Sequence, residues 1–243
     1  EFFRTQLKEL LTNYGPVAEV WLDGYCGEGP NGRKQEYEWS SYYELIRRFQ
    51  SEAVIAVSGP DVRWVGNESG LARESEWSVL PLPLSEEGLA AVSRRETSLD
   101  MVFRPLNLMG EDLGGREKIL SARALFWYPA EVDVSIRPGW FYHQSQDNLV
   151  KSGLALFSIY LQSVGRNSVL LLNVPPDRRG LLADNDIRVL QDFRQLVASS
   201  FKKNLADRAR IKASQTAAGH NIEAIIDSRI ETFWLAKDNG EPI

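Results

Sequence analysis

One cysteine, Cys26, and two histidines, His143 and His220, are present in a chain of 243 residues. A lone cysteine excludes a disulfide within the chain and a cysteine zinc cluster, and it leaves the redox compartment open. Basic charge is also scarce. Lys and Arg number 28 against 33 Asp and Glu, a formal net charge of −5, so nothing marks a surface for nucleic acid or an anionic membrane. No apolar run approaches the ~20 residues needed to cross a bilayer. No phosphate-cradling Gly loop, nucleophile elbow or zinc-binding helix occurs. The first residue is Glu1 rather than Met, inside an amphipathic pattern, so a missing targeting segment carries no information. With 43% apolar and 25% charged residues the composition is that of an ordinary globular protein whose partner is neutral or hydrogen-bonding. Aromatic residues, by contrast, are plentiful: seven Trp and eight Tyr. Such rings stack on sugars when exposed, although core filling is their commoner use.

The order of periodic segments predicts parallel β-α units. Phe3, Leu7, Leu10 and Leu11 recur at helical spacing and stop at Gly15-Pro16, after which Val17 to Leu22 reads as a buried strand. Ser41-Tyr42-Tyr43-Glu44 has capping-box spacing and predicts a helix, followed by a strand over Ala53 to Val57. From Glu74 to Arg116 the periodicity weakens and Pro and Gly accumulate, as in a long insertion over a rim. Leu125 to Ile136 reads as extended chain broken at Pro129. Val150 to Val164 reads as a helix, Val169 to Asn173 as a strand, and a last helix runs from Asp184 to near Ser200. The expected class is α/β, built of parallel β-α units. Residues 204–243 change character, mixing short extended runs with turn residues.

Two acids stand out. Asp23 closes the strand Ala18-Glu19-Val20-Trp21-Leu22, and Glu68 lies one β-α unit later in Arg63-Trp64-Val65-Gly66-Asn67-Glu68, each acid beside a Trp. Parallel barrel strands aim their C-terminal ends at one face, and neighbouring strands lie ~4.8 Å apart. Acids there can approach the ~5 to 5.5 Å separation of a nucleophile and an acid/base in a retaining glycosidase. Asp23, directly after its strand, suits the ionised nucleophile. Glu68, between Trp64 and Gly70, is expected to be kept protonated by apolar neighbours. Glu74, Glu76, Glu111 and Glu131 compete for the acid's place, and Asp23-Gly24 is otherwise an ordinary turn.

The wording of these segments resembles the α-L-fucosidases of glycoside hydrolase family 29. Tyr14-Gly15-Pro16-Val17-Ala18-Glu19-Val20-Trp21-Leu22-Asp23-Gly24 is similar to that family's nucleophile strand. Arg63-Trp64-Val65-Gly66-Asn67-Glu68 is similar to the acid/base loop of the subgroup acting on α-1,3 and α-1,4 linkages. Pro129 to Tyr142 and Leu171-Leu172-Asn173-Val174-Pro175-Pro176-Asp177 match two further signatures. The resemblance covers residues 1 to about 200 and implies a piece of a retaining exo-acting enzyme, with residues 1–203 a partial (β/α)8 TIM-like barrel beginning just before the fourth barrel strand. It implies Asp23 as nucleophile and Glu68 as acid/base, with Trp21, Trp64, Trp140, Arg137 and Glu131 binding substrate. The substrate is a fucosylated oligosaccharide or glycoconjugate, no cofactor or metal is required, and the location is secreted or periplasmic in a bacterium. Residues 204–243 resemble the start of a galactose-binding-like β-sandwich of the discoidin type.

Each reading has a plainer competitor. Trp140-Phe141-Tyr142 reads as an aromatic wall for a sugar or as a buried corner, and Arg137 as a hydroxyl donor or as part of a structural salt bridge. His143 reads as a loop residue. Asp184-Asn185-Asp186 has calcium-like spacing without the rest of an EF-hand loop, and helix N-capping explains it better. Asn67-Glu68-Ser69 matches a glycosylation acceptor by coincidence, since a glycan there would cover the proposed acid. Other classes that suit the chain are a non-catalytic glycan-binding barrel and a different retaining exo-glycosidase.

Overall fold

A computed structural model describes residues 1–24, 31–82, 84–103, 113 and 115–237. Cys26 and Glu111 lie outside the described residues. The chain divides into two compact units, Glu1–Phe193 and Arg194–Ile243.

The first unit is mixed α/β. Helix α1 (Phe2–Asn13) buries Leu7 and Leu11, one turn apart on a single face. Strand β1 (Glu19–Leu22) pairs in parallel with β2 (Val54–Val57), Glu19 opposite Val54 through Leu22 opposite Val57, and helix α2 (Trp39–Phe49) makes the crossover. A parallel bridge from Ala56 to Val62 leads to β3 (Arg63–Trp64). That strand pairs in parallel with β6 (Ala130–Ser135), which pairs in turn with β7 (Ser168–Asn173) across helix α6 (Gly153–Ser163). Five parallel strands thus follow one another in sequence order, and their C-terminal ends share one side. Every residue of β6 is buried, as expected of a central parallel strand covered on both faces. Helix α7 (Asp184–Ser200) follows β7. No helix among the described residues is long and apolar enough to cross a membrane.

The structure departs from the sequence reading in two places. Helix α2 begins at Trp39 rather than behind Ser41, whose hydroxyl instead donates to the Glu38 carbonyl at 2.9 Å. Aromatic packing explains the earlier start: the Trp39 ring stacks on Tyr37 at 4.6 Å and meets Tyr42 and Tyr43 at 6.0 and 6.3 Å. The stretch read as an insertion of few periodic runs holds regular elements. These are β4 (Val79–Pro81), α3 (Glu86–Ser93), α4 (Leu99–Val102) and α5 (Arg116–Leu120), and β4 pairs antiparallel with β5 (Leu125–Trp127). Leu80, Phe103 and Tyr128 carry this layer into the same core as Tyr43, Ile46 and Ile55. In the second unit no strand forms among the described residues. A 3-10 turn at Ile222–Ile225, a hydrogen bond from the Ala217 amide to the Leu235 carbonyl and a His220–Phe233 ring contact organise it instead.

A buried ion pair ties β3 to the segment before β4. Arg63 and Glu76 side chains are 0% and 1% exposed, and Arg63 also donates to the carbonyls of Tyr128 (3.1 Å) and Trp77 (2.6 Å). Removing one member of a buried pair strands the other charge, which costs about 3 to 5 kcal/mol. Glu76→Ala is therefore expected to lower the urea midpoint by a corresponding amount, and an unchanged midpoint would show that the pair contributes nothing net.

Candidate active site

Alternation along two strands builds the site. Glu19 and Trp21 on β1, with Asp23 just beyond its end, follow the period of two that places side chains on one face, and so do Glu131, Asp133 and Ser135 on β6. The two sets meet. The Trp21 indole N–H donates to Glu131 Oε1 at 2.9 Å, and the Trp64 indole N–H from β3 donates to Asp133 Oδ1 at 2.6 Å. Above these contacts opens a cavity of about 380 Å³, lined by Trp21, Asp23, Glu68, Asp133, Trp140, Phe141, Leu171 and Asn173.

The loops that complete the wall are pinned locally. Glu68 sits between Gly66 (φ 100°) and Gly70 (φ 79°), both in the left-handed region that glycine adopts freely. Asn67 closes the turn, donating to the Leu71 carbonyl at 2.9 Å and accepting from the Ser69 amide at 3.0 Å. A Cβ on Gly70 would come within 2.9 Å of Ile159 Cγ2, so this loop rests closely on α6. On the other side Asn173 donates to the Trp140 carbonyl at 3.1 Å and to Ser135 Oγ at 3.0 Å, while Ser135 Oγ donates to the Gly139 carbonyl at 2.7 Å. These bonds fix the backbone that presents Trp140. Trp21 and Trp140 remain 37% and 38% exposed, which leaves ring surface for a ligand.

The chain has clear relatives. No family model matches it. Alpha-L-fucosidase 1 of Arabidopsis thaliana is 36% identical over 244 residues, 98% of this chain and 43% of that protein. A candidate α-L-fucosidase from Bacteroides ovatus, known from a crystal structure, is 48% identical with a TM-score of 0.70, over 90% of this chain and 35% of its own. A Ruminococcus gnavus GH29 fucosidase in complex with fucose is 27% identical with a TM-score of 0.72, over 96% of this chain and 45% of its own. These relatives support glycoside hydrolase family 29. The chain spans less than half the length of the curated relatives it matches, 43% and 42%.

Of the seven residues singled out from sequence, four line the cavity together: Asp23, Glu68, Trp21 and Trp140. The other three stand behind the wall. Trp64 holds Asp133 through its indole N–H. Glu131, expected to reach a sugar, is 1% exposed and accepts from Trp21 instead, so in this structure it positions a ring. Arg137 is a correction of the same kind. It is 1% exposed, donates through Nε to Asp186 at 3.0 Å and through Nη1 to Asp147 at 2.9 Å, and lies 4.8 Å from the Tyr142 ring. A guanidinium enclosed by two carboxylates and a ring is a structural tie, and it gives Asp186, read from sequence as part of a helix cap, a buried partner.

The environment expected of Glu68 is also different. Its side chain is exposed rather than wrapped by apolar neighbours, because the loop after β3 lifts it to the cavity rim. Burial falls on the two acids of β6. Asp133, which sequence reasoning passed over, is 6% exposed and lines the cavity. Its carboxyl is pushed up mainly by burial, and the charges of Glu68 and Asp23 add to this while the Trp64 N–H opposes it. Glu131 is pushed up to about 8, first by burial, then by the nearby charge of Glu19 and a hydrogen bond shared with it. Among the described residues no group of three or more His, Cys, Asp or Glu is placed to hold a metal ion.

The Glu131 shift has a pH consequence. A carboxyl raised in the folded state contributes stability that is fully present below its unfolded value and is lost as pH rises through about 8. Glu131→Gln keeps an acceptor for Trp21 and cannot ionise. Its melting temperature is expected to gain on the parent's between about pH 5 and 8.5. Parallel curves for the two proteins across that range would remove Glu131 as the cause.

Proposed function

We propose that the chain is part of a retaining exo-α-L-fucosidase that hydrolyses terminal α-1,3- or α-1,4-linked fucose from glycans. The five parallel strands are then a portion of a (β/α)8 TIM-like barrel, residues 204–243 the beginning of a galactose-binding-like β-sandwich, and the working location secreted or periplasmic in a bacterium. The reading rests above all on one observation: Asp23 and Glu68, brought from the ends of two different parallel strands, line a single cavity with two exposed indole rings.

In this reading Trp21 and Trp140 stack against the apolar face of the sugar and set its anomeric carbon before Asp23. The Asp23 carboxylate attacks that carbon while Glu68 delivers a proton to the departing oxygen, which leaves a glycosyl ester on Asp23. Glu68, now ionised, takes a proton from water as the water attacks the anomeric carbon, and Asp23 departs as a carboxylate. Two displacements restore the starting configuration. The exposure of Glu68 suits this double task, because the leaving group and the incoming water both reach it from the open side.

Two substitutions in the full-length protein test the roles. Asp23→Ala is expected to remove at least about a thousandfold of turnover on every fucoside, since the covalent step has no substitute. Undiminished turnover would reject Asp23. Glu68→Ala is expected to slow oligosaccharides far more than aryl fucosides with good leaving groups, which need little protonation. Equal losses on both would reject Glu68 as the acid.

A further inference from the structure

The third carboxylate of the cavity has no part in the two displacements, yet it is the most firmly placed of the three. Asp133 belongs to β6, the central strand of a parallel run paired on both sides, with Asp133 itself in register with Leu171, another cavity residue. Its Oδ1 is fixed by the Trp64 indole N–H at 2.6 Å. Asp23 follows its strand and Glu68 rides on a loop, whereas Asp133 is held inside a strand by an indole on the neighbouring strand, Trp64 of β3. Such an acid is suited to recognition, where a fixed rotamer makes each hydrogen bond more favourable. The acids around it are Asp23 just after β1, Glu68 from the loop after β3 and Glu131 on its own strand. Two residues beyond the end of β6 the Arg137 guanidinium is engaged by Asp186 and Asp147. Its carboxyl accepts from the Trp64 indole and from its own backbone amide, and because it lines the cavity it also presents an acceptor to a hydroxyl donor on the cavity side.

We propose that Asp133, held by Trp64, accepts a hydrogen bond from a ring hydroxyl of the sugar seated against Asp23, and so selects the glycon. The inference rests on the fucosidase reading above. It makes Asp133 poorer than Asp23 as a nucleophile, since Asp133 is largely buried and one of its oxygens is tied.

The test is a cycle between a substitution and a missing hydroxyl, using the full-length protein, an aryl α-L-fucoside and its 2-, 3- and 4-monodeoxy analogues. Hydrogen bonds to a charged group are worth roughly 10- to 200-fold. Asp133→Ala should lower kcat/KM on the parent fucoside by that factor, and one deoxy analogue should suffer no further loss from the substitution. Trp64→Phe, which keeps a ring and loses the N–H, should show a smaller loss confined to the same hydroxyl, and it serves if Asp133→Ala does not fold. Equal losses on the parent and all three analogues would mean a structural role and overturn the proposal. Free fucose and its deoxy forms, titrated calorimetrically, give the same cycle without turnover. A wild-type protein that neither cleaves the fucoside nor binds fucose overturns the fucosidase reading and this inference together. Cleavage with an additive cycle overturns this inference alone.

Discussion

Two indole N–H groups donated to two carboxylates of one strand organise this site. Trp21 on β1 reaches Glu131 and Trp64 on β3 reaches Asp133, so the strands that lead to Asp23 and to Glu68 are both referenced to β6. Each bond joins a ring to an acid that burial would otherwise make costly, and each therefore fixes a rotamer on both sides. Without them Trp21 would be an exposed ring free to turn and Asp133 an enclosed acid with one partner fewer. The cavity exists because β6 supplies acceptors on alternate positions and its neighbours supply aromatic donors at the matching height.

A gradient of burial follows from the same arrangement. Glu131 lies deepest, beside Glu19, Asp133 lines the wall, and Asp23 and Glu68 stand at the exposed strand ends. The deep acids are disfavoured as anions by desolvation, while the outer pair sits where ligand and water arrive. In the proposed reading, this division puts positioning groups below and the two proposed reacting acids above: fixed geometry at the ring, and proton traffic with the open side.

Much of this was legible in the residues, for identifiable reasons. Strands β1, β2, β6 and β7 and helices α1, α6 and α7 have strong apolar periodicity bounded by Gly or Pro, so they lie close to where the pattern places them. The layer of β4, α3, α4 and β5 was not legible, because its elements are short and β4 finds its partner only after a long excursion through the chain. Helix α2 starts early because of ring packing around Trp39, which no capping pattern announces. Asp133 was missed although its signal was present: acids at 131 and 133 share a face, and a fully buried strand with two acids on one face requires donors opposite them. Arg137 was placed in the pocket because an Arg beside Trp140 suits sugar binding, but the deciding fact, Asp186 waiting on α7, is a long-range contact.

The central claim is that Asp23 becomes covalently joined to the sugar within this cavity. The most direct measurement is to treat the full-length protein with a 2-fluoro-fucosyl fluoride, whose ester hydrolyses slowly, and to map the adduct by peptide mass spectrometry. The account predicts the added mass on the peptide that contains Asp23, with none on Glu68 or Asp133. An adduct on another acid, or product released with inverted configuration and no adduct at all, would contradict it.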